Sequence, residues 1–373
     1  MKNIRILILY QFDANKHLLI RLAKELKVFN LYADLFNTRT FSYTGQDSFK
    51  IKILQLFIRI PKLRVIIYRI FRKKIILEIS QEYDLIDIHF FSTIYDEIIP
   101  IINKPKKIVF WGSDIYRIKS ERLHKLTELL SDANAIHFLT PEMKKYVLKQ
   151  SFQHRLIFTQ PFGVVHFDTI RNLKKDNKKS EIKSKLGLCQ NKIQVAIGYN
   201  ASKNQQHIKI IKEISKVSKN LKSRIELIFL LTYGGHSSYI NQIEIELIKS
   251  GYNFKIINNQ LNEEEICSYR LACDITLNFQ TSDGFSSSIQ EHIFAGNIML
   301  LGNWLPYEWL REREIYYIRS TFQELTNIFK TLIIELEKQK TNSSRNTNII
   351  EQISDWKFVT NNWVDIYKKT IES

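Results

Sequence analysis

Residues 278–302 read NFQTSDGFSSSIQEHIFAGNIMLLG, and the order of elements within them decides the fold class. An apolar run ends near Gln280, and the polar turn 281–284 (TSDG) follows it. Ser286, Ser287 and Ser288 open a helix that carries Glu291; Gly296 and Asn297 close it, and the next apolar run starts at once. Two strands joined through a helix read as a parallel pair. Ligands bind beyond the carboxyl ends of such strands, where free N–H groups of the following helix face anions. Three serines there would seat a phosphate or a sugar hydroxyl. Plain N-capping by Asp283 and Ser286, with Glu291 in solvent, would use the same residues.

The alternation extends in both directions. Strands are expected at 194–198, 225–231, 254–258, 274–279, 298–302 and 315–318, with helices at 205–219, 238–250, 262–272, 286–296 and 320–338. The first half repeats the pattern, with strands at 4–10, 84–90, 107–111, 135–139 and 155–158. Residues 171–186 (RNLKKDNKKSEIKSKL) are charged and poor in apolar side chains, which marks a linker or a solvated helix rather than core. A chain of 373 residues is too long for one ordinary core and suits two. The reading is an α/β protein of two doubly wound, Rossmann-like domains facing an interdomain cleft. Its expected parts are a domain at 1–170, a linker at 171–190, a domain at 191–345, and a segment at 346–373 returning to the first domain as a helix.

Apolar residues at 44% and charged residues at 25% exclude a disordered chain. Cys189, Cys267 and Cys273 form neither a metal-ligand spacing nor an even set, so a reducing compartment without disulfides is expected. No run reaches the roughly 18 apolar residues of a membrane span, and the apolar run 4–10 lacks a small-residue cleavage site. The net charge of +17 is unevenly spread: residues 1–180 hold 32 basic and 17 acidic side chains, residues 181–373 hold 23 and 21. Such asymmetry implies an anionic partner for the first half.

A bound phosphate must be neutralised by a metal, or by protein cations and N–H dipoles. There is no Asp-x-Asp motif and no His/Asp cluster at ligand spacing, so neither metal nor cofactor is expected. Lys203, in the loop after strand 194–198, offers a positive charge, and Gly198 and Asn200 suit close backbone approach there. Tyr233 precedes Gly234 and Gly235 at the end of strand 225–231; its ring would stack on a base, cover a sugar, or simply pack. In the first domain Asp114 follows strand 107–111 in a turn opened by Gly112, and His89 lies at the end of strand 84–90. Each is a candidate acceptor for a hydroxyl proton, Asp114 first. The alternatives are helix capping for Asp114 and a hydrogen-bonded core position for His89.

In order along the chain, these residues resemble the GT-B glycosyltransferases. Asp283, seven intervening residues, Glu291 and the small turn Ala295, Gly296 resemble the donor motif of group 1 (family 4) members. The resemblance implies that Asp283, in a loop with Gly284, holds the donor sugar and that Glu291 holds the nucleotide ribose. Residues 84–89 resemble the DxxHxH strand end, 160–164 (QPFGV) the P-x-G-V turn, and 195–203 (VAIGYNASK) the first strand and phosphate loop of the donor domain. Residues 111–117 (WGSDIYR) and 231–239 (LTYGGHSSY) are most similar to the family 56 Fuc4NAc (4-acetamido-4,6-dideoxygalactose) transferases, which act on lipid-linked intermediates. The implied activity is transfer of a hexosyl or deoxyhexosyl unit from a nucleotide-diphosphate sugar to a lipid-linked or cell-envelope glycan acceptor in bacterial polysaccharide biosynthesis.

Residues 48–77 contain no acid, and Arg59, Lys62, Arg64, Arg69, Arg72, Lys73 and Lys74 interleave there with Ile, Leu and Phe. That is the pattern of helices lying in an anionic membrane interface, split at Pro61. The alternative makes the apolar residues core and the cations a solvated face. No zinc-finger or RNP-like spacing points to nucleic acid. The expectation is a cytoplasmic enzyme, peripheral on the inner face of the membrane. The competing reading is a non-catalytic basic protein that binds membrane or nucleic acid and keeps a relic nucleotide-sugar fold.

Overall fold

The computed structural model describes residues 3–13, 16–45, 49–58, 60–116, 126, 128–149 and 153–373, without the side chains of 49, 50, 54, 57, 58, 61–65 and 67–69. Arg59, Arg117 and the side chains of Lys62, Arg64 and Arg69 thus lie outside the described residues. The chain forms two compact units: Met1–Val165 with Trp356–Ser373, and His166–Asp355.

The first unit is built on a parallel sheet of β1 (Ile4–Tyr10), β2 (Leu31–Asn37), β3 (Leu85–His89), β4 (Lys106–Phe110), β5 (Ala135–Phe138) and β6 (Ile157–Thr159). Their order is β2-β1-β3-β4-β5-β6. β3, β4 and β5 are buried along their whole length, which is why they read as apolar runs rather than alternating ones. β2 was not among the expected strands: it lies at the sheet edge, and Tyr32, Ala33 and Asp34 remain partly open to solvent. The last helix, Trp356–Glu372, belongs to this unit. Gly163 lets it approach, since a Cβ there would fall 2.3 Å from the Trp356 ring, and Trp363 donates its indole N–H to the Pro161 carbonyl at 3.0 Å.

Two fully buried opposite charges sit under that helix. Asp87 on β3 and Lys107 on β4 are register partners, with Lys107 Nζ 3.2 Å from Asp87 Oδ2. The same oxygen accepts from His89 Nε2 at 2.9 Å and from the Tyr367 hydroxyl. Lys107 also lies 4.6 Å and 4.2 Å from the ring centroids of Trp363 and Tyr367. Burial pulls the Lys107 ammonium down to about 8 despite the attraction of Asp87. Burial alone would raise the Asp87 carboxyl, but His89 and Lys107 hold it well below its usual range.

The second unit carries β7 (Ile193–Ile197), β8 (Ile225–Leu230), β9 (Asn253–Ile257), β10 (Ile275–Asn278), β11 (Ile298–Gly302) and β12 (Ile318–Ser320). They are parallel, in the order β12-β11-β10-β7-β8-β9. The stretch read as a linker or a solvated helix is helical, as Phe167–Asp176 and Lys179–Lys185, and lies within this unit. Phe167, Ile170 and Ile182 turn inward, with Phe167 stacked on Phe294 at 4.1 Å. The helix expected at 320–338 is divided into Leu325–Ile334 and Leu336–Asn342, and Asn346–Ser354 stays with this unit. Among the described residues no helix is long and apolar enough to cross a membrane.

Removing one member of a buried ion pair strands the other charge, at about 3–5 kcal/mol. Asp87→Ala should therefore lower the urea midpoint of the first unit, and Asp87→Ala combined with Lys107→Met should restore most of the loss. A double variant no more stable than the single one would show that the pair is not the element that matters.

Candidate functional site

Strand order in the second unit reverses between β7 and β10: β8 and β9 continue on one side, β11 and β12 on the other. At such a switch point the loops leaving the two strands diverge, and the crevice between them is where doubly wound sheets take ligands. Gly198, Asn200 and Lys203 leave β7 into it, and residues 279–288 leave β10 into it.

The β7 loop is held open by backbone geometry. Gly198 has φ +64°, and a Cβ on it would lie 2.7 Å from His207 Nε2 and 2.9 Å from Gln205 Oε1. Only glycine fits there. Asn200 Oδ1 accepts from the Ser202 N–H at 2.9 Å. Lys203 stands exposed in the single turn Lys203–Gln205, its ammonium 5.8 Å from the Tyr239 ring centroid. The β8 loop packs backbone to backbone on this one: the Ala201 N–H donates to the Tyr233 carbonyl at 2.7 Å, and a Cβ on Gly235 would meet the Ala201 oxygen at 2.4 Å. The Tyr233 side chain remains exposed.

After β10, Gln280 accepts from Tyr199 and from Gln205, each at 3.1 Å, which ties the two loops together. Asp283 is buried; its Oδ2 accepts from the Ser286 hydroxyl at 3.1 Å and from the Tyr307 hydroxyl. Burial raises its carboxyl above the ordinary value, although those donors and the Gly284 N–H oppose the rise. The helix proper is Ser287–Ala295, with Ser286 at its N-cap. Ser288 is buried, and its hydroxyl has no partner within the protein.

Glu291 lies farther along the same helix and is not in solvent. Its Oε1 takes a hydrogen bond from His166 Nδ1 at 2.8 Å, and its Oε2 takes one from Arg270 Nε at 3.0 Å. Burial would raise this carboxyl, but His166 and the Arg270 charge bring it down to about 2. In return Glu291 raises His166 against the effect of burial. His166, Arg270, Tyr307 and Gln280 were not among the residues singled out from the sequence, since each gains its meaning from a distant partner.

In the first unit Asp114 and His89 are both engaged. Asp114 Oδ1 accepts from the Trp111 and Gly112 N–H groups, each at 2.9 Å, and Oδ2 accepts from the Phe91 N–H at 3.0 Å. Burial still pushes its carboxyl up to about 7. His89 gives Nε2–H to Asp87, and its Nδ1 accepts from the Trp111 indole at 3.3 Å. Burial lowers its basicity. Both residues bind the loops after β3 and β4 together.

No protein-family model and no curated protein matches the chain. Solved structures do. A glycosyltransferase from Rickettsia africae superposes with a TM-score of 0.77 at 13% identity, over 100% of both chains. HepE of Anabaena, solved with UDP and glucose, gives 0.69 at 16% identity over 98% of this chain and 99% of its own. Sucrose-phosphate synthase from Thermosynechococcus elongatus gives 0.71 at 11% identity over 99% of each. The chain has the GT-B fold. At these identities the likeness extends to the fold alone.

Glu291 is held below its ordinary 4.5 and His166 above its ordinary 6.5. Stability from the acid is present above 4.5 and lost as pH falls toward 2; stability from the histidine is present below 6.5 and lost as pH rises through its raised value. The melting-temperature gap between wild type and Glu291→Gln should therefore be widest between pH 4.5 and 6.5 and narrow on either side. A gap independent of pH would contradict the pairing.

Proposed function

We propose that the protein is a glycosyltransferase that moves a hexosyl or deoxyhexosyl unit from a nucleotide-diphosphate sugar to a lipid-linked or membrane-proximal glycan acceptor. The observation that carries the reading is the β7/β10 crevice, with the Ser287 helix start, the unpartnered Ser288 hydroxyl and exposed Lys203 grouped at one switch point. N–H dipoles, a hydroxyl and an ammonium are what a departing diphosphate requires. The nucleotide complex of HepE supports the same reading. Asp283 and Gly284 would face the sugar. Glu291 would address the ribose only by exchanging part of its hold on His166 or Arg270. In the first unit Asp114 and His89 remain the candidates for the acceptor proton. Metal independence belongs to the reading.

The membrane part rests on the helix Pro61–Ser80. Ile75, Ile76 and Ile79 face the core, whereas Ile66 and Ile70 are 52% and 58% exposed, on the same face as Lys73 and Lys74. Leu56, Ile60 and Phe71 add exposed apolar surface. Apolar side chains facing solvent beside lysines suit an anionic lipid surface, at about 1 kcal/mol per cation. Such a protein would work on the cytoplasmic face of the membrane, in the chemistry of envelope polysaccharides and close in kind to the family 56 transferases.

Among UDP, dTDP and GDP, one should raise the melting temperature, with EDTA making no difference. Ser288→Ala should leave the ligand-free melting temperature unchanged or slightly higher, since it removes an unpaired buried hydroxyl, and should reduce the nucleotide-induced rise. Stabilisation by none of the three would refute the donor reading and favour a non-catalytic protein. Sedimentation with phosphatidylglycerol vesicles should fall with salt and in Lys73→Glu combined with Lys74→Glu. Binding that ignores lipid charge would remove the membrane from the proposal.

A further inference from the structure

Trp304, in the loop after β11, belongs to none of the groups described above. Of the five tryptophans it is the most exposed, at 40%; Trp309, Trp356 and Trp363 are buried and Trp111 is partly so. Exposure here does not mean looseness. The indole N–H donates to the Gln280 carbonyl at 2.8 Å, and the ring stacks on Phe322 at 5.5 Å and meets Phe279 edge-on at 5.8 Å. Gly302 makes room for it, since a Cβ at that position would lie 2.6 Å from the indole. Three contacts and a glycine therefore fix a large flat ring at the carboxyl end of β11, still partly open to solvent.

The ring is tied to the switch point from both ends of its own loop. Trp304 holds Gln280, the residue that joins the β7 and β10 loops, and three residues later Tyr307 holds Asp283. An indole held rigid on the backbone carbonyl of a switch-point loop and still partly open to solvent is a surface on which the C–H face of a pyranose can lie. The diphosphate elements, Lys203 and the Ser287 helix start, are on the β7 and β10 side. We propose that Trp304 is a stacking platform for the sugar ring of the donor, and thereby a specificity-determining residue; this rests on the donor reading above.

The experiment titrates UDP-glucose and UDP, and then the dTDP and GDP pairs, into wild type, Trp304→Phe and Trp304→Ala, following tryptophan fluorescence and calorimetric affinity. Melting curves of the ligand-free variants check folding. The sugar nucleotide should change the wild-type emission more than the bare nucleotide, and the difference should vanish in Trp304→Phe. Trp304→Ala should weaken the sugar nucleotide about tenfold more than it weakens the bare nucleotide, with Trp304→Phe between them. Equal weakening of both ligands, or of neither, would overturn the platform and leave the donor reading standing. If wild type binds no nucleotide at all, the donor reading itself fails, and the platform with it.

Discussion

The carboxylate of Glu291 is the point on which the ligand side of the second unit depends. Taking a carboxylate out of water costs several kcal/mol, and only well-placed partners offset that. Here they come from two directions, His166 at the start of the unit and Arg270 on the helix Glu263–Ala272. The acid itself sits in the middle of Ser287–Ala295, so the clasp fixes that helix along its length. Its N-terminus, with the unpaired Ser288 hydroxyl, is thereby aimed by an interaction a turn away from it. Arg270 is held in turn by His292, within 3.0 Å of its guanidinium, and Asn297 donates to the Arg270 carbonyl at 2.9 Å. A change at any of these residues would reach the helix start without touching a ligand.

Buried acids elsewhere in the chain do different work according to what surrounds them. Asp87 has a cation, an imidazole and a phenol, stays ionised, and anchors the returning helix to β3 and β4. Asp114 has only backbone N–H groups, and desolvation dominates. Asp283 has hydroxyl donors and also lies above its ordinary value. Charge partners, rather than the number of hydrogen bonds, separate the first from the other two.

Much of the scaffold was legible in the sequence because strands buried on both faces have to be apolar throughout, and β1 and β11 run over the residues expected. β2 escaped because an edge strand tolerates Asp34 and a solvent-facing Tyr32. The charged stretch after 170 read equally as a linker or a solvated helix, because few apolar residues suffice to seat a short helix on a neighbouring one: Phe167, Ile170 and Ile182 do so here. For the site, the loop residues could be found from strand ends and glycines. Their partners could not: Glu291 looks like a solvated helix residue until Arg270 and His166, 21 and 125 positions away, close on it. Gly198 was chosen for close approach to a ligand, and its neighbours His207 and Gln205 supply a second reason internal to the fold.

Magnitudes also bear on the two candidates for an acceptor proton. General-base assistance is worth about 10²–10⁴ in rate, or roughly 3–5 kcal/mol, and the release of the base has to cost less than that. A hydrogen bond to a charged group is worth about 1.5–3 kcal/mol net. Asp114 Oδ1 carries two such bonds and Oδ2 one, so only Oδ2, by giving up Phe91, leaves a clear margin. His89 would have a different route. Its Nδ1 is covered by one neutral contact, the Trp111 indole at 3.3 Å, and a neutral bond contributes about 0.5–1.5 kcal/mol. Turning that indole away would expose Nδ1 while Nε2–H stays on Asp87, which would also stabilise the imidazolium formed, although Lys107 nearby would oppose it. Turning the indole would also give up the ring contact of Trp111 with Phe162 at 4.7 Å, about 0.5–1.5 kcal/mol more, so releasing His89 would cost about as much as freeing Oδ2 of Asp114.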